Sequence, residues 1–274
     1  MNAGPEPTGV LAVDVGNTST RFGLFVDGAL GDTWEASTPE RLTVDEARCA
    51  VGAFLGDRVR RASAAGGAGG LPVAPADAVL SCVVPDFVEV WTQALRAECG
   101  RRPLVVGPGL KTGVRMRYSD PAEIGPDRIA DLVAALAEFT GPLVVVDLGT
   151  TTNLEVVDAD GVFVGGIIAP GLALGARSLA NAAARLPVVE LKAPQSVIGK
   201  NTREAMQAGV VMGEVARLDG LLDLVEAELG STPTVVVTGT HAAALAALLR
   251  HDAQADDTLT LRGLHKLYEA NRKK

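Results

Sequence analysis

Leu11-Ala-Val-Asp14-Val-Gly16-Asn-Thr18 returns further along the chain as Val144-Val-Val-Asp147-Leu-Gly149-Thr-Thr151. The agreement continues from Asp27-Gly28 to Asp160-Gly161, and the offset is 133 residues at all five matched positions. Each copy is an apolar run ending in Asp, a glycine turn with hydroxyl residues, then a second apolar run and a turn. That order predicts a β-hairpin with a polar tip. A single Asp-x-Gly-x-Thr is also what an ordinary hairpin turn uses, because these residues accept turn torsions and bond nearby backbone. Its recurrence at a fixed offset favours a shared ligand: two polar tips, one per half of a duplicated chain, suit a nucleotide held between the halves. Backbone N–H groups near Gly16 and Gly149 can approach phosphate oxygens because no Cβ intervenes. Asp14 and Asp147, at strand ends, are placed to hold a cation for those phosphates.

The 274 residues suffice for two modest cores, the number that duplication predicts. The division expected is an N-terminal lobe over 1–117 and a C-terminal lobe over 118–274. Basic residues number 25 and acidic residues 33, a net charge of −8, which argues against a broad basic face and a nucleic-acid partner. An anionic substrate then needs local help from metal ions, helix N-termini or a placed arginine. Cys49, Cys82 and Cys99 are odd in number and lack metal-ligand spacing, so they read as reduced thiols of a cytoplasmic protein. No basic leader precedes an apolar core, and no apolar run is long enough for a membrane span, so neither secretion nor a membrane is expected. Aromatics make up only 4% of the chain, which predicts aliphatic cores.

Residues 1–8 read as a loose leader, followed by strands over 9–14, 20–26 and 29–36. Apolar spacing predicts a helix over 43–55 with Thr43 as its cap. Ala62–Gly70, rich in Ala and Gly, reads as a surface loop. Strands over 78–84 and 103–106 flank a helix over 87–98. A helix over 128–139 enters through Gly125-Pro126-Asp127, and a second strand set covers 144–147, 154–158 and 162–168. Helices near 172–184, 203–229, 241–250 and 261–271 surround a strand over 234–237. Strands alternating with helices after each hairpin give an α/β class with mixed sheets. His241, His251 and His265 show no metal spacing and default to surface or helix-terminal roles.

A further series of motifs runs in order along the chain: Asp14-Val-Gly-Asn-Thr18, Ser81-Cys-Val-Val-Pro85, Lys111-Thr-Gly113, Tyr118 with Pro121, and Gly125-Pro-Asp-Arg128. Asp147-Leu-Gly-Thr150, Gly165-Gly-x-x-Ala-Pro-Gly171, Leu186-Pro187 and Gly199-Lys-Asn-Thr202 with Ala205-Met-Gln207 complete it. From about residue 9 to 271 the chain resembles the type III pantothenate kinases of the acetate kinase, sugar kinase, Hsc70 and actin superfamily. The resemblance implies two duplicated actin-like (ribonuclease H-like) domains with mixed sheets and an inter-domain cleft, and a homodimer. It implies ATP-dependent phosphorylation of pantothenate to 4'-phosphopantothenate, the first step of coenzyme A synthesis, with ATP and pantothenate as ligands. Such chemistry needs a hydroxyl in line with the γ-phosphate, a proton acceptor and cations to absorb charge.

By resemblance, Asp127 is the proton acceptor. At a helix start the dipole favours its ionised form, though the residues alone favour a helix cap over a base. Arg128 grips the substrate carboxylate or forms a surface salt bridge. Tyr118, Gly125, Pro126 and Thr202 match the acceptor-binding positions; Tyr118 is otherwise a half-buried aromatic and Thr202 otherwise a cap. Asp14, Val15, Gly16, Asn17, Thr18, Ser19, Thr20 and Arg21 match the first ATP segment, Asp14 working through Mg²⁺, and Thr150 matches a second phosphate contact. Asp147 matches the ligand of a monovalent cation, K⁺ or NH₄⁺. Three motifs depart from the family pattern. Pro126 replaces Ala, which a first helical turn accepts. Asp-Phe-Gly-Thr-Ala-Thr-Thr has become Asp147-Leu-Gly-Thr-Thr-Thr-Asn153. Thr-Gly-Gly has become Thr238-Gly239-Thr240, where a Cβ at 240 threatens to crowd the adenine side or force another torsion. The alternatives are a non-catalytic nucleotide-binding regulator of the same fold and a kinase for another small hydroxylated compound.

Overall fold

The computed structural model describes residues 9–64, 74–182 and 189–272, with 61–64 as backbone alone. The expected leader at 1–8, most of the loop expected over 62–70, Leu186-Pro187 and the end of the helix expected to 184 lie outside the described residues. The chain opens with strands β1 (Gly9–Val15), β2 (Ser19–Val26) and β3 (Ala29–Ser37), then helix α1 (Val44–Ala64), β4 (Pro75–Cys82), α2 (Val88–Cys99) and β5 (Leu104–Val105). A short β6 (Arg115–Met116) precedes α3 (Pro126–Glu138). Strands β7 (Leu143–Leu148), β8 (Thr151–Val157) and β9 (Val162–Pro170) follow, then α4 (Leu172–Ala182), α5 (Thr202–Gln207) and α6 (Gly213–Leu229). The chain ends with β10 (Thr234–Gly239), α7 (Ala242–Ala246), β11 (Ala253–Ala255) and α8 (Leu259–Asn271).

Two compact units result, one of Met1–Gly113, Ala122–Ala134 and Thr260–Lys274, the other of Val114–Pro121 and Ala135–Leu259. The first unit carries a sheet in the order β3-β2-β1-β4-β5. The second repeats that order as β9-β8-β7-β10-β11, with β6 added beside β9. In both, the first three strands form an antiparallel meander, and the fourth returns parallel to the first through helices. The α/β class with mixed sheets expected from the sequence is what folds, and the duplication extends past the hairpins to strands with no visible sequence repeat.

Period-2 alternation buries both faces of the first sheet. Phe22 and Leu24 of β2 face a core completed by Val51 and Phe54 of α1 and Trp91 and Leu95 of α2. Phe22 is its hub, with ring centroids 5.3, 5.8 and 5.7 Å from Trp34, Phe54 and Trp91. Truncating such a ring to Ala costs about 3–5 kcal/mol. On the opposite face Phe25 stacks on His265 of α8 at 4.1 Å, and Gly23 leaves room for Leu261. Gly263 of α8 lies against the backbone of Ala130, where any Cβ would collide, so the chain's last helix fixes the start of α3. The second unit's core joins Val144, Val146 and Leu154 to Leu218 and Leu222 of α6 and Leu245 of α7.

Three helices differ from the sequence reading. Helix α7 covers only Ala242–Ala246 of the 241–250 expected. Helix α1 runs to 64 rather than 55, supported by Asp57–Arg60 along its surface and by Arg58 reaching Asp32 at 2.9 Å, contacts that apolar spacing does not register. Thr43 does cap it, since the Glu46 amide donates to Thr43 Oγ1 at 3.3 Å and the Thr43 amide donates to Glu46 Oε2 at 2.8 Å. The expected helix 203–229 is interrupted by a π-type stretch, Ala208–Met212, between α5 and α6.

Candidate active site

At the first tip the Gly16 amide donates to Ser19 O at 2.9 Å, closing the turn and leaving Asn17 and Thr18 exposed. The Thr38 amide donates to Thr18 O at 2.9 Å, and the Thr20 and Thr38 hydroxyls lie 2.9 Å apart, tying the tip to the end of β3. Asp14, one residue before the end of β1, pairs in register with Arg21, whose guanidinium reaches Glu35 at 3.5 Å. On its other side Asp14 is in register with Ser81 of β4. Ser81 Oγ is fully buried and has no hydrogen-bond partner among the described residues.

Asp127 is brought to this neighbourhood by a short relay within the first unit. The Val83 amide, just past β4, donates to Val15 O at 3.0 Å, and Val83 Cγ1 lies 3.8 Å from where a Cβ on Gly125 would stand. That Cβ would collide with Asp127 Oδ1, so Gly125 is the space that the carboxylate occupies. Gly125, not Asp127, begins the helix, since its carbonyl accepts from the Ile129 amide at 3.1 Å, and Pro126 takes the first helical position as expected. Asp127 Oδ1 instead accepts the next amide, Arg128 N–H, at 2.8 Å. Burial pushes the Asp127 carboxyl above the usual range, outweighing the opposing pull of the Arg128 amide and charge. The helix start therefore does not hold the carboxylate at low pKa as the sequence suggested; desolvation wins. Arg128 is 7% exposed, which removes its surface salt-bridge reading.

The second tip repeats the plan with different neighbours. The Gly149 amide donates to Thr151 O at 2.9 Å, and Asp147 faces Asn153 on β8 and Thr238 on β10. Thr238 Oγ1, like Ser81 Oγ, is buried with no hydrogen-bond partner among the described residues. Gly239 has φ +88, and a Cβ there would stand 2.5 Å from Leu148 O and 2.7 Å from Asp147 Oδ1. Each acid of the pair Asp127 and Asp147 thus sits over a glycine that makes room for it. Thr240 is exposed and its amide donates to Leu148 O at 2.8 Å, while the left-handed torsion falls at His241, φ 69. The position that must lack a Cβ is Gly239, which the chain keeps. Gly171 lies against the Gly149 and Thr150 carbonyls and donates to Thr150 O at 3.1 Å, which gives the Gly165–Gly171 motif its role.

A buried brace stands behind the second tip. Thr152 Oγ1 donates to Glu214 Oε1 at 2.8 Å; Arg217 pairs with Glu214 and donates to Pro170 O at 2.7 Å. Glu214 and Arg217 were not anticipated from the sequence, and their i, i+3 spacing on α6 was the available signal. Val83 stands in sequence only as part of the Ser81–Pro85 motif, and its bridging place is set by strand register.

Tyr118 is half-buried and stacks on Phe163 at 5.5 Å in the second unit. Thr202 is exposed at the first position of α5, which Asn201 caps by accepting the Glu204 amide at 3.0 Å. The capping alternative for Thr202 is thereby excluded. Among the described residues no three His, Cys, Asp or Glu side chains group as a metal cage. Oxygen-rich pairs such as Asp14 with Ser81 and Asp147 with Thr238 still match the hard-cation donor set, because Mg²⁺ retains waters and shares ligands with phosphates.

Solved structures with the same architecture include the ethanolamine utilization protein EutJ from Carboxydothermus hydrogenoformans, 16% identical, covering 99% of this chain and 92% of that one with a TM-score of 0.55. MreB 5 of Spiroplasma citri bound to AMPPNP is 11% identical over 97% of each chain with a TM-score of 0.51. These define the class as an actin-like α/β fold of duplicated domains. A family model described as type III pantothenate kinase matches residues 10–224. A type III pantothenate kinase of Anaeromyxobacter dehalogenans is 39% identical over 96% of this chain and 100% of its own, and one from Acidothermus cellulolyticus is 40% identical over 96% and 98%. The chain belongs to the type III pantothenate kinase family.

Proposed function

We propose that the protein transfers the γ-phosphoryl of ATP to the primary hydroxyl of pantothenate, giving 4'-phosphopantothenate at the entry to coenzyme A synthesis. The observation that carries this beyond family membership is Asp127: a partly buried carboxylate with raised basicity, held over Gly125 and linked through Val83 to the first hairpin. Its role is to accept the proton of the attacking hydroxyl. Arg128, buried at the helix start, holds the acceptor's carboxylate, and the family resemblance gives Gly125, Pro126, Tyr118 and Thr202 a part in binding the same ligand. Asp14 through Arg21 and Thr150 present amides and hydroxyls to the phosphates. Mg²⁺, taken up beside Asp14, and K⁺ or NH₄⁺, beside Asp147, would supply charge neutralisation. The buried hydroxyls of Ser81 and Thr238 face the same two positions from the neighbouring strands and support that reading.

We also infer a cytoplasmic homodimer. Among the described residues no helix is long and apolar enough to cross a membrane. Val197, Ile198, Ile168 and Leu224 of the second unit are 67, 80, 62 and 67% exposed, apolar surface that a second copy would cover. The central test is a coupled assay with ATP, Mg²⁺, K⁺ and pantothenate against a panel of other hydroxylated acids. Pantothenate-dependent ADP release is expected; release with another acceptor alone would reassign the substrate, and none at millimolar ATP would remove the kinase reading.

A further inference from the structure

At the end of the first sheet opposite the hairpin tip lies a pocket of about 840 Å³ lined by Asp77, Arg101, Arg102, Pro103, Leu104, Tyr268 and Arg272. Strand register fixes that position. Asp77 pairs with Val10 near the start of β1, whereas Asp14 pairs with Ser81 near its end. Four residues of strand separate the two levels, roughly 13 Å at 3.3 Å per residue. The pocket is therefore a second concavity of the same unit, outside the assembly proposed for phosphoryl transfer.

Its charge is opposite in sign to that of the whole protein. The chain carries −8, yet three guanidinium groups converge here. None of the three forms a side-chain ion pair among the described residues. Asp77, the one acid in the lining, spends its oxygens elsewhere: Oδ2 accepts the Tyr268 hydroxyl at 2.9 Å and Oδ1 accepts the Ala78 amide at 3.0 Å. Burial and that bond push the Tyr268 hydroxyl up to about 12, while Arg272 and Arg101 pull it the other way, which places both cations within electrostatic reach of the ring. The C-terminal dipole of α2, which ends at Cys99 with Gly100 as its cap, favours a nearby cation. It does not require three on one concave surface. Exposed arginines left unpaired at a pocket suit planar, two-pronged contacts to phosphate oxygens. Pro103, Leu104 and the Tyr268 ring add an apolar wall.

We propose that this pocket binds a small molecule bearing a diphosphate group, at a site separate from the kinase centre. The net charge of the lining, three cations against one committed acid, matches a diphosphate better than a single monoanion. The volume falls in the range of small-molecule sites. Two sources share this chemistry, bare pyrophosphate and a nucleoside diphosphate whose ring packs on the apolar wall.

The test is calorimetric titration of the full-length protein, at fixed ionic strength, with inorganic pyrophosphate, guanosine diphosphate and inorganic phosphate in turn. Each is repeated on an Arg101→Ala/Arg102→Ala/Arg272→Ala variant and on the matching triple Lys variant, both checked for an unchanged melting temperature. One diphosphate site is expected to weaken at least 10-fold in the Ala variant and less in the Lys variant, with pantothenate turnover unchanged in both. Tighter binding of guanosine diphosphate than pyrophosphate at the affected site would identify the nucleotide as the source, and equal binding the bare diphosphate. Diphosphate binding equal in wild type and Ala variant, or inorganic phosphate binding as tightly as pyrophosphate, would overturn the proposal. Because turnover is read separately, failure here leaves the kinase assignment untouched.

Discussion

The two hairpins share a sequence offset but not a register. In the first, Asp14 faces Arg21; in the second, Asp147 faces Asn153, one place earlier than the offset predicts. The second tip is a residue shorter, and the turn that follows is longer: Val26 pairs with Ala29 around Asp27-Gly28, whereas Asp158 to Gly161 form a wider loop closed by the Val162 carbonyl accepting the Asp158 amide at 2.9 Å. The two slips cancel, so the matched positions at both ends stay 133 apart. Because side chains alternate with period 2, the cancelled slip changes what stands beside each acid. Arg21 is the cross-strand neighbour of Asp14, and Asn153 that of Asp147. The monovalent ion proposed at Asp147 would therefore meet a neutral amide on the neighbouring strand, where the Mg²⁺ proposed at Asp14 would meet a charged side chain.

The largest effect expected from breaking this comparison is at the relay from the first hairpin to Asp127. Asp127→Asn should lower kcat by about 10² or more with nucleotide affinity retained, checked by steady-state kinetics and equilibrium binding. Stability should move the other way. A carboxyl with raised folded pKa stabilises the fold below its unfolded value, and that contribution is lost as pH rises through the folded pKa. The melting temperature of the Asn variant should therefore gain on wild type as pH rises from below 4, and kcat/KM of wild type should fall on acidification with an inflection above the ordinary carboxylate range.

Next is the cation itself. Asn153→Arg gives Asp147 the neighbour that Asp14 has, and should lower activity roughly 10-fold, the size of a 1.4 kcal/mol loss, and flatten the rate difference between K⁺ and Na⁺ buffers. Equal K⁺ activation in variant and wild type would dissociate Asp147 from the ion. A smaller effect separates the glycines. Gly239→Ala, at φ +88 with backbone at 2.5 Å, should cost about 2–4 kcal/mol in denaturant unfolding, whereas Gly16→Ala, with its nearest neighbour at 3.0 Å, should cost about 1. The smallest is at the brace: Thr152→Val removes one hydroxyl from Glu214 while Arg217 remains, and should cost about 1–2 kcal/mol.

Where the chain states its structure in local pattern, it could be read. Period-2 apolar runs placed β1, β2, β7 and β8, and Thr43 announced α1 through its reciprocal contact with Glu46. Motif order placed the acids. What escaped is fixed by long-range register: the pairing of Ser81 with Asp14 and Thr238 with Asp147, the bridging of Val83, and the joining of Glu214 and Arg217 to a turn some sixty residues earlier. The basicity of Asp127 was misjudged because a helix dipole is visible in sequence and desolvation is not.

The cancelling slips also dictate how the lobes can be recombined. A chimaera that exchanges the whole stretch from acid to second turn splices in frame, since both segments have the same length. One that grafts the tip alone, cutting between Asp and the following strand, shifts every downstream residue by one and turns the apolar side of that strand outward. Exchange of genetic material between such halves is therefore tolerated only in complete modules.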